Sequence, residues 1–499
     1  MAAHNFLAFD LGAESGRAVL GTLDSGRLEL EEKHRFPNPT GRMNGRLQWN
    51  LLGQWEELKT GLRKSADTHG GGRASLSGIG VDTWGVDFGL LNGDGDVVSN
   101  PFHYRDGWTE GVMERTFQTV SREEIFEHTG VQFMQLNSLY QLLALREHKP
   151  QTLSCARTLL FVPDLFNYLF TGERKSEFSI ATTSQMYDPR KAAWATDMLR
   201  KLDLPAQIFP EVVPSGTVIG PLRRDVAEEC NVGRVPVIAP GCHDTASAVA
   251  AVPAESGPMP ADWCYISSGT WSLMGVELNR PLINEKSLAY NYTNEGGIGG
   301  TIRFLKNIMG LWLVQECRRQ WVKDGHDHAY GELTQMAQRA KPFGAVIDPD
   351  HKPFLSPGDM PAKIERFCRD TKQRPPTSRG EFVRVCLEGL ALTYRKTLEG
   401  LEDVLGRRIN RIHVVGGGSK NELLNQMTAD ACEREVVAGP VEATAIGNIL
   451  VQAMATGDVK SLSDARAIVR ASFEVKHYQP QQAKQWTEAY GRYREVLGK

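Results

Sequence analysis

The strongest constraint on the fold is a pattern that occurs twice. Near the start, the run Asn5 to Phe9 leads into Asp10-Leu-Gly-Ala-Glu-Ser-Gly-Arg17 and a second apolar run, Ala18 to Leu23. Past the middle of the chain, Trp263-Cys-Tyr-Ile266 leads into Ser267-Ser-Gly-Thr270 and then Trp271-Ser-Leu-Met-Gly-Val276. Each reads as a strand, a tight Gly-containing turn with a hydroxyl residue, and a returning strand, because short apolar runs bounded by turn residues mark hairpins. Two such hairpins, one opening each half, point to an internal duplication with a cleft between the copies. Each half can then offer backbone N–H groups and hydroxyls to one phosphate chain. In the first turn Gly12 and Gly16 leave room for close backbone approach, and Ser15 and Arg17 add donors. Asp10 at the strand end can hold Mg²⁺ through water. The turn is not a P-loop, since the only Gly-Lys is Gly498-Lys499. Taken alone, it also reads as an ordinary hairpin.

At 499 residues the chain is too long for one hydrophobic core, so two or three domains are expected, and the division read here is 1–248 and 249–499. The 41% apolar and 23% charged content is that of a soluble globular protein. A net charge of −3 and the lack of a long basic run speak against nucleic acid as a partner. No apolar stretch is long enough to span a bilayer, which speaks against a membrane. The start, Met1-Ala-Ala-His-Asn5, has no positive region, and Asp10 interrupts the first apolar run, so it does not read as a signal peptide. The eight cysteines are scattered without a Cys-x-x-Cys and read as free thiols of a cytoplasmic protein.

The chemistry concentrates between Val235 and Val252. Val235 to Ala239 reads as a short buried strand, Pro240-Gly241 breaks it, and Thr245-Ala-Ser-Ala-Val-Ala-Ala251 reads as a helix of small residues. His243 and Asp244 therefore fall where a strand ends and a helix begins. Asp244 has two readings: a helix N-cap, or a general base that takes a hydroxyl proton while a phosphate arrives opposite. His243 and Thr245 beside it can both hydrogen-bond a polyol. Cys242 reads as packing.

Earlier in the chain, Leu51 to Lys64 reads as a helix, Asp67 to Arg73 as a polar Gly-rich loop and Leu76 to Val81 as a strand. That strand is followed by Asp82-Thr-Trp-Gly-Val-Asp87. Trp84 there can lie against a sugar ring and Gly85 can let backbone reach a hydroxyl; the alternative is a tight turn with a packed Trp. Tyr104-Arg-Asp106 offers a charged hydrogen-bonding group or an ion pair. From Ser121 to Arg200 the pattern is mostly helical, with Pro163-Asp164 opening one helix. Thr182-Thr-Ser-Gln185 is a polar cluster.

In the second half, Val252 to Ala261 is rich in Pro and Gly and reads as a linker. Asn294-Glu-Gly-Gly-Ile-Gly-Gly-Thr301 is a glycine loop that leads toward a helix from Leu311 to Val322. The uncharged amides Asn307 and Gln315, near its start and within it, suit sugar hydroxyls or an adenine edge. His326-Asp-His328 resembles a metal pair but reads as a solvated loop. Ile409 to Val415 is a strand ending in Gly416-Gly-Gly-Ser-Lys-Asn421 before a helix, an arrangement that lets bare backbone lie against a nucleotide.

In order from Phe6 to about Gly457, Asp10 to Arg17, Asp82 to Asp87, Gly241-Cys-His-Asp-Thr-Ala-Ser-Ala248, Ser267 to Leu273 and Val415-Gly-Gly-Gly418 resemble the FGGY carbohydrate kinases. Within that family, His243 to Ala248, Lys306-Asn-Ile-Met-Gly-Leu-Trp312 and Gly439-Pro-Val-Glu-Ala-Thr444 are similar to members acting on L-rhamnulose. The resemblance implies an α/β fold of two actin/hexokinase-like domains, each on a ribonuclease-H-like mixed sheet. It implies transfer of the ATP γ-phosphate to O1 of L-rhamnulose with Mg²⁺. By this resemblance Asp244 is the proton acceptor, and Ala13, Glu14, Ser15, Gly16, Arg17, Thr270, Gln315 and Gly417 hold ATP. Gly85, His243, Asp244, Thr245 and Asn307 hold sugar, and Asp10 approaches the metal through water. Glu14 stands where the family often has Ser, and an added carboxylate beside phosphates implies that its side chain points outward. The rival readings are a kinase for L-fuculose or L-xylulose, a sugar sensor without catalysis, and a dinucleotide oxidoreductase. The last is opposed by a first strand that leads into a hairpin instead of a helix.

Overall fold

A computed structural model describes residues 3–66, 75–255 and 262–498. The loop read at Asp67 to Arg73 and residues 256–261 of the Pro/Gly stretch lie outside the described residues. The chain forms two compact units. The first takes Met1–Pro260, Glu277–Leu305 and Glu442–Phe473; the second takes Ala261–Val276, Lys306–Val441 and Glu474–Lys499.

The first unit is built on β1 (His4–Leu11), β2 (Ser15–Asp24), β3 (Arg27–Pro37), β4 (Leu76–Thr83), β5 (Thr217–Pro221) and β6 (Pro236–Ala239), in the spatial order β3-β2-β1-β4-β6-β5. β1, β2 and β3 form an antiparallel meander, β1 and β4 run parallel, and so do β4 and β6. The unbroken apolar run of β1, with Phe6, Leu7, Ala8 and Phe9 all buried, suits a central strand covered on both faces. At the edge, β3 is largely exposed and carries Glu29, Glu31 and Glu32.

Helix Leu51–Ala66 covers one face. It sits close because of Gly61, where an added Cβ would lie 2.7 Å from that of Ala18. Helix Ala443–Thr456 packs along β1 and β4 from far down the sequence. Its Gln452 Nε2 donates to the Leu7 carbonyl at 3.0 Å, and Asn448 Nδ2 donates to Asp82 Oδ2 at 2.6 Å. It also crosses the short helix Asp244–Ala250 backbone to backbone: a Cβ on Gly447 would fall 1.8 Å from the Ser247 carbonyl oxygen.

Between β4 and β5 lies a helical layer that includes Ser138–His148 and Val162–Thr171, the latter opened by Pro163 as expected. It packs with the antiparallel pair Phe88–Leu91 and Thr158–Phe161 around Leu139, Tyr140, Leu142 and Phe161. Short strands at Lys175–Glu177, Tyr187–Asp188 and Ala193–Trp194 interrupt the stretch that the sequence reads as helical. Two or three residues are too few to set a period.

The second unit repeats the plan. Its strands β7 (Trp263–Ser268), β8 (Trp271–Leu278), β9 (Ile302–Met309, of which Ile302–Leu305 fall in the first unit), β10 (Arg411–Val415), β11 (Glu435–Ala438) and β12 (Lys476–Tyr478) run in the order β9-β8-β7-β10-β11-β12, with a seventh strand, Thr293–Gly296, beside β9. β7 and β8 form the hairpin; β10 is parallel to β7, β11 is parallel to β10, and β12 is antiparallel to β11. The hairpin, its two parallel neighbours and the antiparallel edge strand repeat those of the first sheet, as the duplication read from the two hairpins implies, while Thr293–Gly296 is an added strand. The long helix Arg379–Leu405 carries a capping box from Ser378 and Glu381 and stops at Gly406 in the left-handed region.

Candidate active site

The segment that carries His243 and Asp244 leaves β6 through Pro240 and Gly241 and is pinned before the helix begins. The Thr83 N–H donates to the Cys242 carbonyl at 2.9 Å. The Cys242 N–H donates to Glu177 Oε2 at 3.2 Å, and the His243 N–H to Ser179 Oγ at 3.1 Å. Ser179 Oγ in turn donates to Glu177 at 2.6 Å. Glu177 is wholly enclosed, and burial raises its carboxyl above the ordinary range.

Asp244 is the first residue of its helix; His243 holds the N-cap position and makes no side-chain cap bond. The N-cap reading of Asp244 therefore fails. Its carboxylate accepts from Thr245 Oγ1 at 3.0 Å, lies 3.5 Å from His243 Nε2, and keeps 32% of its side chain exposed. Burial pushes the Asp244 carboxyl above its ordinary value; Asp10 adds to the rise, and His243 and Thr245 oppose it. Thr245 itself is buried with its hydroxyl turned to Asp244. Gly85 meets the same place from the other side, since an added Cβ there would lie 3.3 Å from His243 Nε2 and 3.4 Å from Thr183 Cγ2. Gly85, His243, Asp244 and Thr245, chosen from separate motifs, are thus brought together.

Three carboxylates gather at the strand ends. Asp10 is the register partner of Asp82 on one side and of Arg17 on the other. Arg17 bridges Asp10 and Glu442. Asp82 is fully buried, and its Oδ1 has no hydrogen-bond partner among the described residues. Burial, with Asp10 and Asp244 nearby, holds Asp82 well above the usual carboxylate range, while Asn448 opposes the rise. Among the described residues no three His, Cys, Asp or Glu side chains are placed to hold a metal ion directly. Asp10 and Asp82 supply carboxylate oxygens, the donor type that a water-retaining Mg²⁺ ion would use.

The first hairpin turn is tied down by Asn38. Its N–H donates to the Glu14 carbonyl and its Nδ2 to the Gly12 carbonyl, both at 2.9 Å. The Glu14 side chain is exposed, and Ala13 and Ser15 are half-buried beside it. Gly16 owes its lack of a side chain to Phe36, whose ring would stand 2.2 Å from an added Cβ.

In the second unit the other hairpin turn is joined to the helix after β9. The Gly310 N–H and Trp312 N–H donate to the Thr270 carbonyl at 3.1 and 3.2 Å, which sets Gln315 one turn into helix Trp312–Lys323. Gln315 Oε1 is enclosed without a hydrogen-bond partner among the described residues, so it is free to accept from a ligand amine. The glycine run packs on the same hairpin: a Cβ on Gly418 would strike Ser268 Oγ at 2.0 Å, whereas Gly417 faces open space. These features fit a flat ring on bare backbone. Asn307 lies half-buried on β9.

Other expectations resolve differently. Trp84 is not open to a sugar. It packs on Trp49 with ring centroids 4.0 Å apart, and its indole N–H donates to the buried Asp87 at 3.0 Å. Asp106 forms an ion pair with Arg46 at 3.2 Å. His326 and Asp327 are exposed in a loop. Cys242 is buried, and all eight cysteines are free. Sequence reasoning missed Glu295 and Arg303, which contact His243 at 3.1 Å each. An Arg inside the apolar run Ile302-Arg-Phe-Leu305, just past an acid in a glycine loop, is the signal that could have found them.

The two repeated sheets and the hairpin turns define an α/β protein of the actin/hexokinase-like class. The same fold is seen in gluconate kinase from Lactobacillus acidophilus (TM-score 0.80, 15% identity, 100% of this chain and 98% of that one). Plasmodium falciparum glycerol kinase with ADP shares it as well (TM-score 0.75, 14% identity, 99% and 98%). The model of the FGGY family N-terminal domain matches residues 5–251 and that of the C-terminal domain residues 264–456. A rhamnulokinase of Bacteroides thetaiotaomicron is 44% identical over 486 residues, covering 97% of this chain and 98% of the relative. One from Oceanobacillus iheyensis is 39% identical over 472 residues, covering 95% and 97%. The chain belongs to the FGGY family of carbohydrate kinases. Among the described residues no helix is long and apolar enough to cross a membrane.

Proposed function

We propose that this carbohydrate kinase transfers the γ-phosphate of ATP to O1 of L-rhamnulose. The observation that carries the reading is the Asp244 carboxylate, partly open, raised by burial, and set beside His243 Nε2 and the bare Cα of Gly85. The choice of sugar is supported by the rhamnulokinases that match nearly the whole chain.

In this reading His243 and the backbone at Gly85 hold the ketose, with Asn307 as a further sugar ligand. Asp244 accepts a hydrogen bond from the O1 hydroxyl and takes its proton as the bond from O1 to phosphorus forms and the bond from phosphorus to ADP breaks. A carboxyl held above its ordinary value by burial is a better acceptor for that late proton. Thr245, bonded to the acceptor, keeps it turned toward the sugar. Ala13 to Arg17, Thr270, Gln315 and Gly417 would hold ATP, with the two hairpins at its phosphates. Mg²⁺, when bound near Asp10 through water, supplies neutralisation of phosphate charge. Phosphoryl transfer has a loose transition state, so placement and charge balance are what the protein contributes.

ADP release measured against a panel of ketoses and aldoses tests the assignment. The expected outcome is the highest kcat/KM for L-rhamnulose, with Mg²⁺ required and the product phosphorylated at O1. A higher value for L-fuculose or L-xylulose assigns the enzyme to that ketose. No ADP release with any sugar identifies a sugar-binding protein without catalysis.

A further inference from the structure

The His243 ring is gripped on the side away from Asp244. Its Nδ1 lies 3.1 Å from Glu295 Oε2 and 3.1 Å from Arg303 Nη2, while Nε2 lies 3.5 Å from Asp244 Oδ1. Glu295 and Arg303 are register partners on the antiparallel strands Thr293–Gly296 and β9, and they form an ion pair at 3.2 Å. Arg303 Nε also donates to the Gly296 carbonyl at 2.8 Å. The arginine is wholly buried and the glutamate nearly so. A buried ion pair stabilises a fold no better than apolar residues of the same size, so its presence calls for another reason. The reason lies in what it touches: a ring whose other nitrogen faces Asp244 and the bare Cα of Gly85.

We propose that Glu295 and Arg303 are positioning residues that lock the plane of the His243 ring and thereby aim Nε2 at the sugar hydroxyl beside Asp244. Arginine only donates, so its contact makes Nδ1 an acceptor and leaves the ring proton to Nε2, with the Glu295 carboxylate 3.1 Å from the same nitrogen. Turning the ring breaks the charge-assisted hydrogen bond from Arg303, which is stronger than a neutral one. The inference rests on the kinase reading, with His243 as sugar ligand and Asp244 as base.

Glu295→Gln keeps the shape and removes the charge that holds both Arg303 and the ring. With the ketose that the wild type turns over best, KM for the ketose is expected to rise about 10-fold, the size of one hydrogen bond to a charged group lost. KM for ATP is expected to stay near its wild-type value. In a His243→Ala background the same substitution is expected to add nothing to the ketose KM, because coupled residues lose their effect together. Arg303→Lys, which keeps the buried positive charge, carries the same test if Glu295→Gln does not fold. An equal fold-change with and without the His243 side chain overturns the positioning role, as does a matching rise in KM for ATP. A wild-type protein that turns over no sugar overturns the kinase reading, and this inference with it.

Discussion

Asp10 and Asp82 stand side by side, register partners on adjacent parallel strands. The sheet therefore delivers two carboxylates to one edge, and Asp244, reached through the bridge between Thr83 and His243, brings a third within electrostatic range. Asp10 is answered by Arg17 and Asp82 by Asn448, which leaves Asp244, the most open of the three, to meet a substrate proton.

Asp244→Asn is nearly isosteric and removes the proton acceptor. It is expected to keep the thermal midpoint and ATP binding of the wild type while kcat falls roughly 10²-fold or more, the usual range for a general base. Steady-state ADP release together with nucleotide binding by calorimetry checks both halves. Near-normal turnover would move the base elsewhere.

Gly85→Ala tests the space beside His243. The new Cβ would lie 3.3 Å from His243 Nε2 and 3.4 Å from Thr183 Cγ2, tight but tolerable for folding. The expected outcome is an unchanged thermal midpoint and a ketose KM raised about 10-fold by the volume lost to one methyl, with KM for ATP unchanged. A variant that binds the ketose normally would show that sugar does not enter there.

Gly447→Ala tests the crossing of the two helices. The methyl would sit 1.8 Å from the Ser247 carbonyl oxygen, and both partners are backbone, so the helices must part. A loss of about 3 kcal/mol or more is expected, at the upper end of overpacking effects. Thermal unfolding reads it directly, and a midpoint within a degree of the wild type would show that the helices do not meet there.

Asp87→Asn tests a buried acid through pH. Burial raises Asp87 to about 7, against the hydrogen bonds from Trp49, Gln141, Trp84 and the Tyr104 N–H. The native state then binds a proton that the unfolded chain releases near pH 4, so this group stabilises the fold at low pH and the benefit is lost as pH rises through 7. Between pH 5 and pH 7 wild-type stability is expected to fall by about 2 kcal/mol relative to the variant, measured by denaturant unfolding at each pH. A difference that stays constant with pH would mean that Asp87 is ionised throughout.

What the sequence revealed was what local pattern controls. Both hairpins, the strand-to-helix junction at His243 and the helix opened by Pro163 follow from apolar runs and the residues that break them. The grouping of Gly85 with His243 and Asp244 was also foreseen, through the family resemblance. The partners of these groups were not legible. Arg303 meets His243 across 60 residues of chain, and no periodicity records such a pairing. Trp84 had the right composition for a sugar platform, but Asp87 draws both its indole and that of Trp49 into one buried cluster. Gly16 was read for its place in the turn, and the packing of the Phe36 ring against it was not legible.

The helix Ala443–Thr456 has a consequence for how the protein is made. Asp82 leaves the ribosome 366 residues ahead of Asn448, the amide that partners it, and Arg17 waits 425 residues for Glu442. These two pairings therefore cannot form until that helix and the residue before it have been made.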